Sequence, residues 1–335
     1  MKKKVYLHIG SAKTGTTSIQ ETFQHNRNRL NDLGFHYPGN HTNHHLSFLL
    51  TRAEFEDWPR QFKSIERNKL KNSMEEYLQH LAGDISSSAI DTHIISSEYL
   101  FLTNETYVEN YVRFLETFYD DIKVCVFLRN PVNYFRSVQQ QVIKARSYLT
   151  KPDEWKLQFK PVIELWSNYA EVEVIEYEPG VDSCKLFCDW AGIDYSSLVP
   201  LRKESNVSIS IEQMLLLEKI QSQLYANYEN RFKAHLRVLE QIRFTDLNKP
   251  KLKEGVRAVV YQKHKQDIAW LEENYAINFL DNELDEAMND FCIDSETGMP
   301  SVRDLFKVPD EEMVEKYEIH VLDLVLKKLA QRATN

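Results

Sequence analysis

Near the start of the chain the residues Gly10-Ser11-Ala12-Lys13-Thr14-Gly15-Thr16-Thr17-Ser18 combine two glycines, one cation and a run of hydroxyls. They stand between a short apolar β-rich run, Lys4 to Ile9, and a segment from Thr14 to Leu33 whose Ile19, Phe23 and Leu30 have helical spacing before Gly34 stops it. A glycine-containing turn between strand and helix aims backbone N–H groups and a positive helix end at one point, which is phosphate-binding chemistry. Against the nucleotide-loop pattern G-x-x-x-x-G-K-[ST], both glycines and Thr17 keep their spacing, but Thr16 stands where the lysine belongs. The cation has moved inside the loop, to Lys13. An ordinary ATP kinase would thereby lose the lysine that reaches its β- and γ-phosphates. The plainer alternative is a turn that merely caps a helix, as small hydroxyl residues readily do.

A second anion-suited segment is Leu128-Arg129-Asn130-Pro131, followed by Ser137 eight residues after the arginine. Arg129 offers a planar fork that matches a phosphate, and Pro131 suits the first turn of a helix whose N-terminus favours anions. Ser137 falls about two turns into that helix, on a face near Arg129. Glu98 closes the β-rich run Thr92 to Ser97, at the carboxyl edge where open α/β sheets gather ligands. It is the first candidate for a general base, and the competing reading is a first-turn carboxylate on the helix that follows. Histidines crowd residues 36–45, with His36, His41, His44 and His45 in ten positions. Three readings stay open there: an acceptor-binding or catalytic histidine, a solvated polar loop, and a metal site that lacks a nearby Cys or carboxylate in familiar spacing. His44 and His45 are the secondary catalytic candidates.

Lys13-Thr14-Gly15-Thr16-Thr17 resembles the K-x-G-T-T loop of sulfotransferases that use 3′-phosphoadenosine 5′-phosphosulfate (PAPS). Arg129 with Ser137 resembles the 3′-phosphate motif of the same family. Arg202, Lys203 and Asn206 resemble, more loosely, the late basic segment that completes that 3′-phosphate site. The resemblance spans about residues 4–210, densely only in the first two segments, and leans toward bacterial sulfotransferase-like forms. It implies a P-loop fold with PAPS as donor and no metal, with Ser11 to Ser18 around the phosphosulfate and Lys13 on its bridging oxygen. It also implies a hydroxyl or amine acceptor on a glycan, glycolipid or small metabolite. Small-molecule members carry His where this chain has Glu98, so the base is carried over less directly than the loop. The rivals are a P-loop kinase using ATP and magnesium, and a nucleotide-binding protein without catalysis.

These groups need a scaffold that brings strand ends together. β-rich runs at 92–97, 123–128 and 172–177 alternate with helical segments at about 66–88, 104–120 and 155–170, which predicts a P-loop-like α/β fold, a parallel sheet between two helical layers. From about Ser208 the pattern is helical: 208–225, a Lys/Arg-rich stretch to about 255, then 260–275, 281–291 and 310–332. We expect a PAPS-binding core over 1–210 and a helical C-terminal part over 211–335 packed on the same domain. The last helix gathers Val314, Tyr317, Val321, Leu324 and Val325 on one face, as a docking helix or a partner-binding one.

Composition bounds the function. The 335 residues carry 41 Lys+Arg against 50 Asp+Glu, a net charge of −9, so the surface is not built to hold a nucleic-acid backbone and any anion site is local. The apolar run after Met1-Lys2-Lys3-Lys4 is too short for a signal-peptide core, and no window approaches the ~18–20 apolar residues of a membrane span. Cys125, Cys184, Cys188 and Cys292 fit no common zinc spacing and read as reduced thiols of a cytoplasmic protein.

Overall fold

The computed structural model describes residues 3–50, 55–59, 62–63, 65–178, 180–201, 209–224, 247–286 and 298–333. The chain forms two compact units that interleave along the sequence. The first comprises 1–130, 158–203 and 270–278, the second 131–157, 204–269 and 279–335.

Five parallel strands build the first unit: β1 (Lys4–His8), β2 (Phe35–His36), β3 (Thr92–Ser96), β4 (Asp121–Leu128) and β5 (Glu171–Glu176), in the order β2-β3-β1-β4-β5. The chain winds outward from β1 in one direction through β3 and then in the other through β4. The carboxyl end of β1 is therefore the point where the winding reverses, and open α/β sheets bind ligands in the crevice that such a reversal leaves. Register sets His8 opposite Ser96 on one side and Cys125 on the other.

Because side chains alternate across a strand, this register sorts the core. Tyr6, Ile94, Cys125, Phe127 and Ile175 share one face, covered by Ile19 and Phe23 of α1 (Thr16–His25) and by Cys184, Phe187 and Cys188 of α7 (Ser183–Ala191). Val5, Leu7, Ile95, Val124 and Val126 turn to the other face and are fully buried. Near them α4 (Glu105–Glu116) and α6 (Phe159–Ser167) pack together, and the Trp166 indole N–H donates to the Leu100 carbonyl at 3.1 Å. The expected α/β sheet with helical layers is thus present.

The expected helix over 14–33 is two helices. Between α1 and α2 (Arg27–Asp32) stands Asn26, whose amide donates to the Thr22 and Val199 carbonyls while its carbonyl oxygen accepts from the Val199 N–H. A side chain that satisfies backbone groups of a distant segment from a break in the helix is stronger than the local periodicity. The remaining helix of this unit, α3 (Arg67–Ser87), matches its expected range within a residue at each end.

The second unit contains α5 (Pro131–Ala145), α8 (Ile211–Leu224), most of α9 (Glu254–Tyr275), α10 (Asn282–Glu286), α11 (Val302–Leu305) and α12 (Glu311–Ala333), with a two-residue antiparallel pair of β6 (Lys251–Leu252) and β7 (Phe306–Lys307). Its interior is stitched by polar groups. The Glu212 carboxylate accepts from the backbone and side-chain N–H of Asn248, and Glu218 accepts from the Val302 N–H at 2.7 Å. Val314, Tyr317 and Val321 of α12 are buried, as the docking reading of that helix requires. Ile319, Leu322, Leu326 and Leu329 on the same helix are exposed.

Phe187 is buried against His8, Phe23 and Trp190, with ring centroids 5.1–6.1 Å away. Phe187→Ala should lower the unfolding free energy by about 3–5 kcal/mol in urea titration; a loss under about 1 kcal/mol would mean that α7 is not part of this core.

Candidate functional site

Residues 10–18 form the turn that joins the centre of the sheet to α1. Lys13 and Gly15 both adopt left-handed backbone, with φ of 67° and 81°. For glycine that conformation carries no steric cost, but for lysine it is uncommon and signals a turn held by its surroundings. What holds it is visible. The Thr14 hydroxyl donates to the Ser11 carbonyl at 2.6 Å, Ser11 donates to the Phe127 carbonyl at 2.8 Å, and Ser183 of α7 donates to the Gly15 carbonyl at 3.0 Å. A Cβ on Gly15 would stand 2.3 Å from the Ser183 hydroxyl oxygen, so the position has no room for a side chain.

The helix that begins here is open to an anion. No side chain caps the N-terminus of α1, and its first turn holds no acidic residue. Thr17 is exposed, Lys13 and Ser18 are half-buried, and Ala12 is exposed, whereas Ser11, Thr14 and Thr16 are buried. The Thr16 Oγ1 is a buried hydroxyl oxygen with no hydrogen-bond partner. An uncapped helix end, a left-handed turn and an unanswered hydroxyl together fit a phosphate-like group, whose charge and oxygen acceptors would satisfy them.

The neighbouring strand ends supply the rest. Arg129, just beyond β4, donates from Nη1 to the Lys13 carbonyl at 3.3 Å, so the two expected anion-binding cations come from adjoining segments. Tyr177, after β5, donates its N–H to the Leu128 carbonyl at 2.7 Å, and its phenol senses the Arg129 charge. Glu98 follows β3, and the Ser97 N–H before it donates to the His8 carbonyl at 3.0 Å. Burial pushes the Glu98 carboxyl upward from its ordinary range while the Lys13 ammonium pulls it back. Glu98 is thus largely withdrawn from water and lies within the field of Lys13.

The two histidine candidates separate. His44 is buried with both ring nitrogens engaged by backbone: Nε2 donates to the Pro38 carbonyl at 2.9 Å and Nδ1 accepts from the Ser96 N–H at 3.1 Å. It ties its loop to β3, and no ring nitrogen is left for a substrate. His45 lies against the Tyr99 ring with its Nδ1 3.2 Å from the Ser97 hydroxyl, one residue before Glu98. Burial lowers both rings to about 4, so both are neutral at pH 7. His36 is spent elsewhere, with Nε2 3.2 Å from the Asp84 carboxylate. Among the described residues no group of three His, Cys, Asp or Glu is arranged to hold a metal, and no helix is long and apolar enough to cross a membrane.

Ser137 is half-buried on α5 in the second unit. Arg202, Lys203 and Asn206 lie outside the described residues, as does Cys292. Sequence reasoning missed Ser183, Tyr177 and the buried group His8, Ser96 and Gln20. The one sequence signal for that group is a histidine interrupting an otherwise apolar strand.

No protein-family model matches the chain, and no curated protein matches it. Among solved structures it is similar to "Sulfotransferase Domain from the Curacin Biosynthetic Pathway", with a TM-score of 0.34 and 12% identity over 79% of this chain and 97% of that one. At that score the likeness assigns neither activity nor ligand.

Burial lowers the pKa values of six described histidines: His8 to about 3, His44, His45 and His93 to about 4, and His41 and His264 in the same direction. Each binds its proton more tightly in the unfolded chain, near pH 6.5. The stability these neutral rings contribute is therefore complete above that value and is lost as pH falls toward about 4. Urea midpoints measured from pH 7.5 to 4.5 should fall steeply below about 6.5; a flat profile would show these rings to be solvated. Gly15→Ala, by contrast, should unfold the loop at every pH, seen as loss of any anion-induced rise in melting temperature.

Proposed function

We propose that this protein is a sulfotransferase that moves a sulfuryl group from PAPS to a hydroxyl or amine of an acceptor. The observation that carries the proposal is the placement of Lys13. It sits inside a left-handed turn at an uncapped helix end, with Arg129 bonded to its carbonyl and the raised carboxyl of Glu98 within its field. A kinase loop would put its lysine after Gly15, on the first turn of the helix, where this chain has Thr16.

In this reading the amides at the start of α1, Lys13 and the hydroxyls of Thr16 and Thr17 hold the 5′-phosphosulfate, and Arg129 and Ser137 serve the 3′-phosphate, with Arg202, Lys203 and Asn206 assigned there by resemblance. PAPS supplies an activated sulfuryl group whose bond to the bridging oxygen is the one that breaks. Glu98 takes the proton from the acceptor oxygen as that oxygen bonds to sulfur. Lys13 and the loop amides meet the charge that grows on the departing 5′-phosphate, in a site dry enough for the field to count. His45, neutral and tilted against the Tyr99 ring beside Glu98, borders the place where an acceptor would lie. The acceptor is a glycan, glycolipid or small metabolite, and the chemistry asks of it only an O–H or N–H that reaches Glu98.

The test is isothermal titration of 3′-phosphoadenosine 5′-phosphate without metal, beside ATP with magnesium. We expect the 3′-phosphorylated nucleotide to bind selectively and Arg129→Ala to weaken it at least tenfold. Tighter binding of ATP with magnesium, indifferent to Arg129, would replace the reading with a kinase. Once an acceptor is in hand, Lys13→Ala should cut kcat by about 10²–10³, or about 2.7–4 kcal/mol. Glu98→Gln should remove about 10²–10⁴ of the rate while leaving nucleotide affinity intact; binding without turnover in the wild type would mark a non-catalytic nucleotide-binding protein.

A further inference from the structure

Beneath the loop lies a chain of buried polar side chains that the proposed chemistry does not use. His8 is wholly buried at the end of β1, with Nδ1 2.9 Å from the Ser96 hydroxyl oxygen. The side-chain amide of Gln20, on α1, stands 3.3 Å from the Ser96 carbonyl oxygen and 3.2 Å from its hydroxyl oxygen. Gln20 and Ser96 are themselves 3% exposed or less.

Hydrogen-bond direction in this chain follows from elementary inventory. A carbonyl oxygen can only accept, so the Gln20 group facing Ser96 O is its NH2. That NH2 also donates to the Ser96 hydroxyl oxygen, and in this relay the hydroxyl proton goes to His8 Nδ1. The ring proton of the neutral imidazole is then on Nε2. This nitrogen is buried and has no partner, and so is Thr16 Oγ1. The two atoms flank one spot: a Cβ on Gly10 would stand 3.1 Å from His8 Nε2 and 2.9 Å from Thr16 Oγ1. A donor and a hydroxyl, both enclosed and both unanswered, face the same glycine.

We propose that His8 is a positioning residue for the anion loop: its Nε2–H fills the acceptor side of the Thr16 hydroxyl through one enclosed water between the two atoms, so that the hydroxyl proton points at the bound anion. The chain then runs Gln20 to Ser96 to His8 to water to Thr16 to anion, each member donating to the next. Thr16 becomes a donor only, matched to a phosphate or sulfate oxygen that carries no proton. Gly10 is required at this point because any side chain would occupy the space through which His8 and Thr16 meet. Burial keeps the His8 ring neutral, its pKa lowered to about 3, so the arrangement holds across the whole working range of pH. The proposal rests on the sulfotransferase reading only for the identity of the anion.

Two measurements decide it. In wild-type protein with nitrogen-15-labelled histidine, the His8 ring should show a protonated Nε2 and a bare Nδ1 from pH 5 to 9; a protonated Nδ1 overturns the relay whatever the loop binds. In titrations with 3′-phosphoadenosine 5′-phosphate, His8→Phe should weaken binding about tenfold, and His8→Gln, which can bring an amide donor to the same place, should recover most of it. In a Thr16→Val background His8→Phe should change affinity less than twofold, because the hydroxyl it orients is gone. Equal losses in both backgrounds would reduce His8 to packing and overturn the proposal. Should His8→Phe not fold, the comparison of His8→Gln with wild type and the ring tautomer still decide it. Absence of any nucleotide binding by wild-type protein would overturn the donor assignment instead, with the tautomer left to judge the relay.

Discussion

The candidate site of the first unit depends on one tightly held turn. Between Gly10 and Gly15 the chain must leave the centre of a parallel sheet, reverse, and start a helix without letting any side chain cap it. Gly10, Lys13 and Gly15, all at positive φ, accomplish this, and one of them is the lysine to which the proposed reading assigns the phosphosulfate. The strain of a left-handed lysine persists only because Ser11, Thr14 and Ser183 fix the backbone on both sides of it. The same fixation leaves the helix end without a side-chain cap. In the proposed reading an incoming anion finds its donors already in place, which is where electrostatic binding gains most.

In the proposed reading, the sheet order explains why the site lies at this turn. With β1 central, the ends of β3 and β4 lie on either side of it, so Glu98 and Arg129 arrive from opposite neighbours. The hydrogen bonds Ser97 N–H to His8 O and Ile9 N–H to Cys125 O continue the pairing past the formal strand ends and hold those neighbours in register. A carboxylate that must be partly dry and a guanidinium that must reach the loop are both placed by backbone pairing. Neither placement relies on flexible loops.

Much of this was legible beforehand. The loop glycines, Lys13, Arg129 and Glu98 are recognisable because strand-end positions and glycine spacing are short-range patterns, and the four main strands read cleanly from their apolar runs. Other features depended on pairings too distant to see. Asn26 splits a continuous helical pattern because it serves Val199, a partner 173 residues away. The histidine cluster at 36–45 looked like one feature, yet His36 is paired with Asp84, His44 with backbone and His45 with Ser97, partners that come from distant segments of the chain. Ser183 gave no sign at all; its importance lies in the oxygen it bonds, 168 residues earlier. The division into interleaved units was equally hidden, since helix periodicity says which face is apolar and nothing about which chain segment covers it.

Charge completes the account. A chain with a net charge of −9 repels an anionic donor at long range, so attraction must be generated within a few ångströms. The means are an uncapped helix end, Lys13 and Arg129, with Glu98 nearby in the Lys13 field. Screening at physiological salt extends over about 8 Å, which mutes the distant acidic surface more than these close contacts. Burial raises the Glu98 carboxyl while Lys13 holds it down, and the balance makes it an acceptor of protons whose strength depends on the loop being intact. In the proposed reading, a base tuned by the same lysine that meets the leaving charge links the two ends of the transfer.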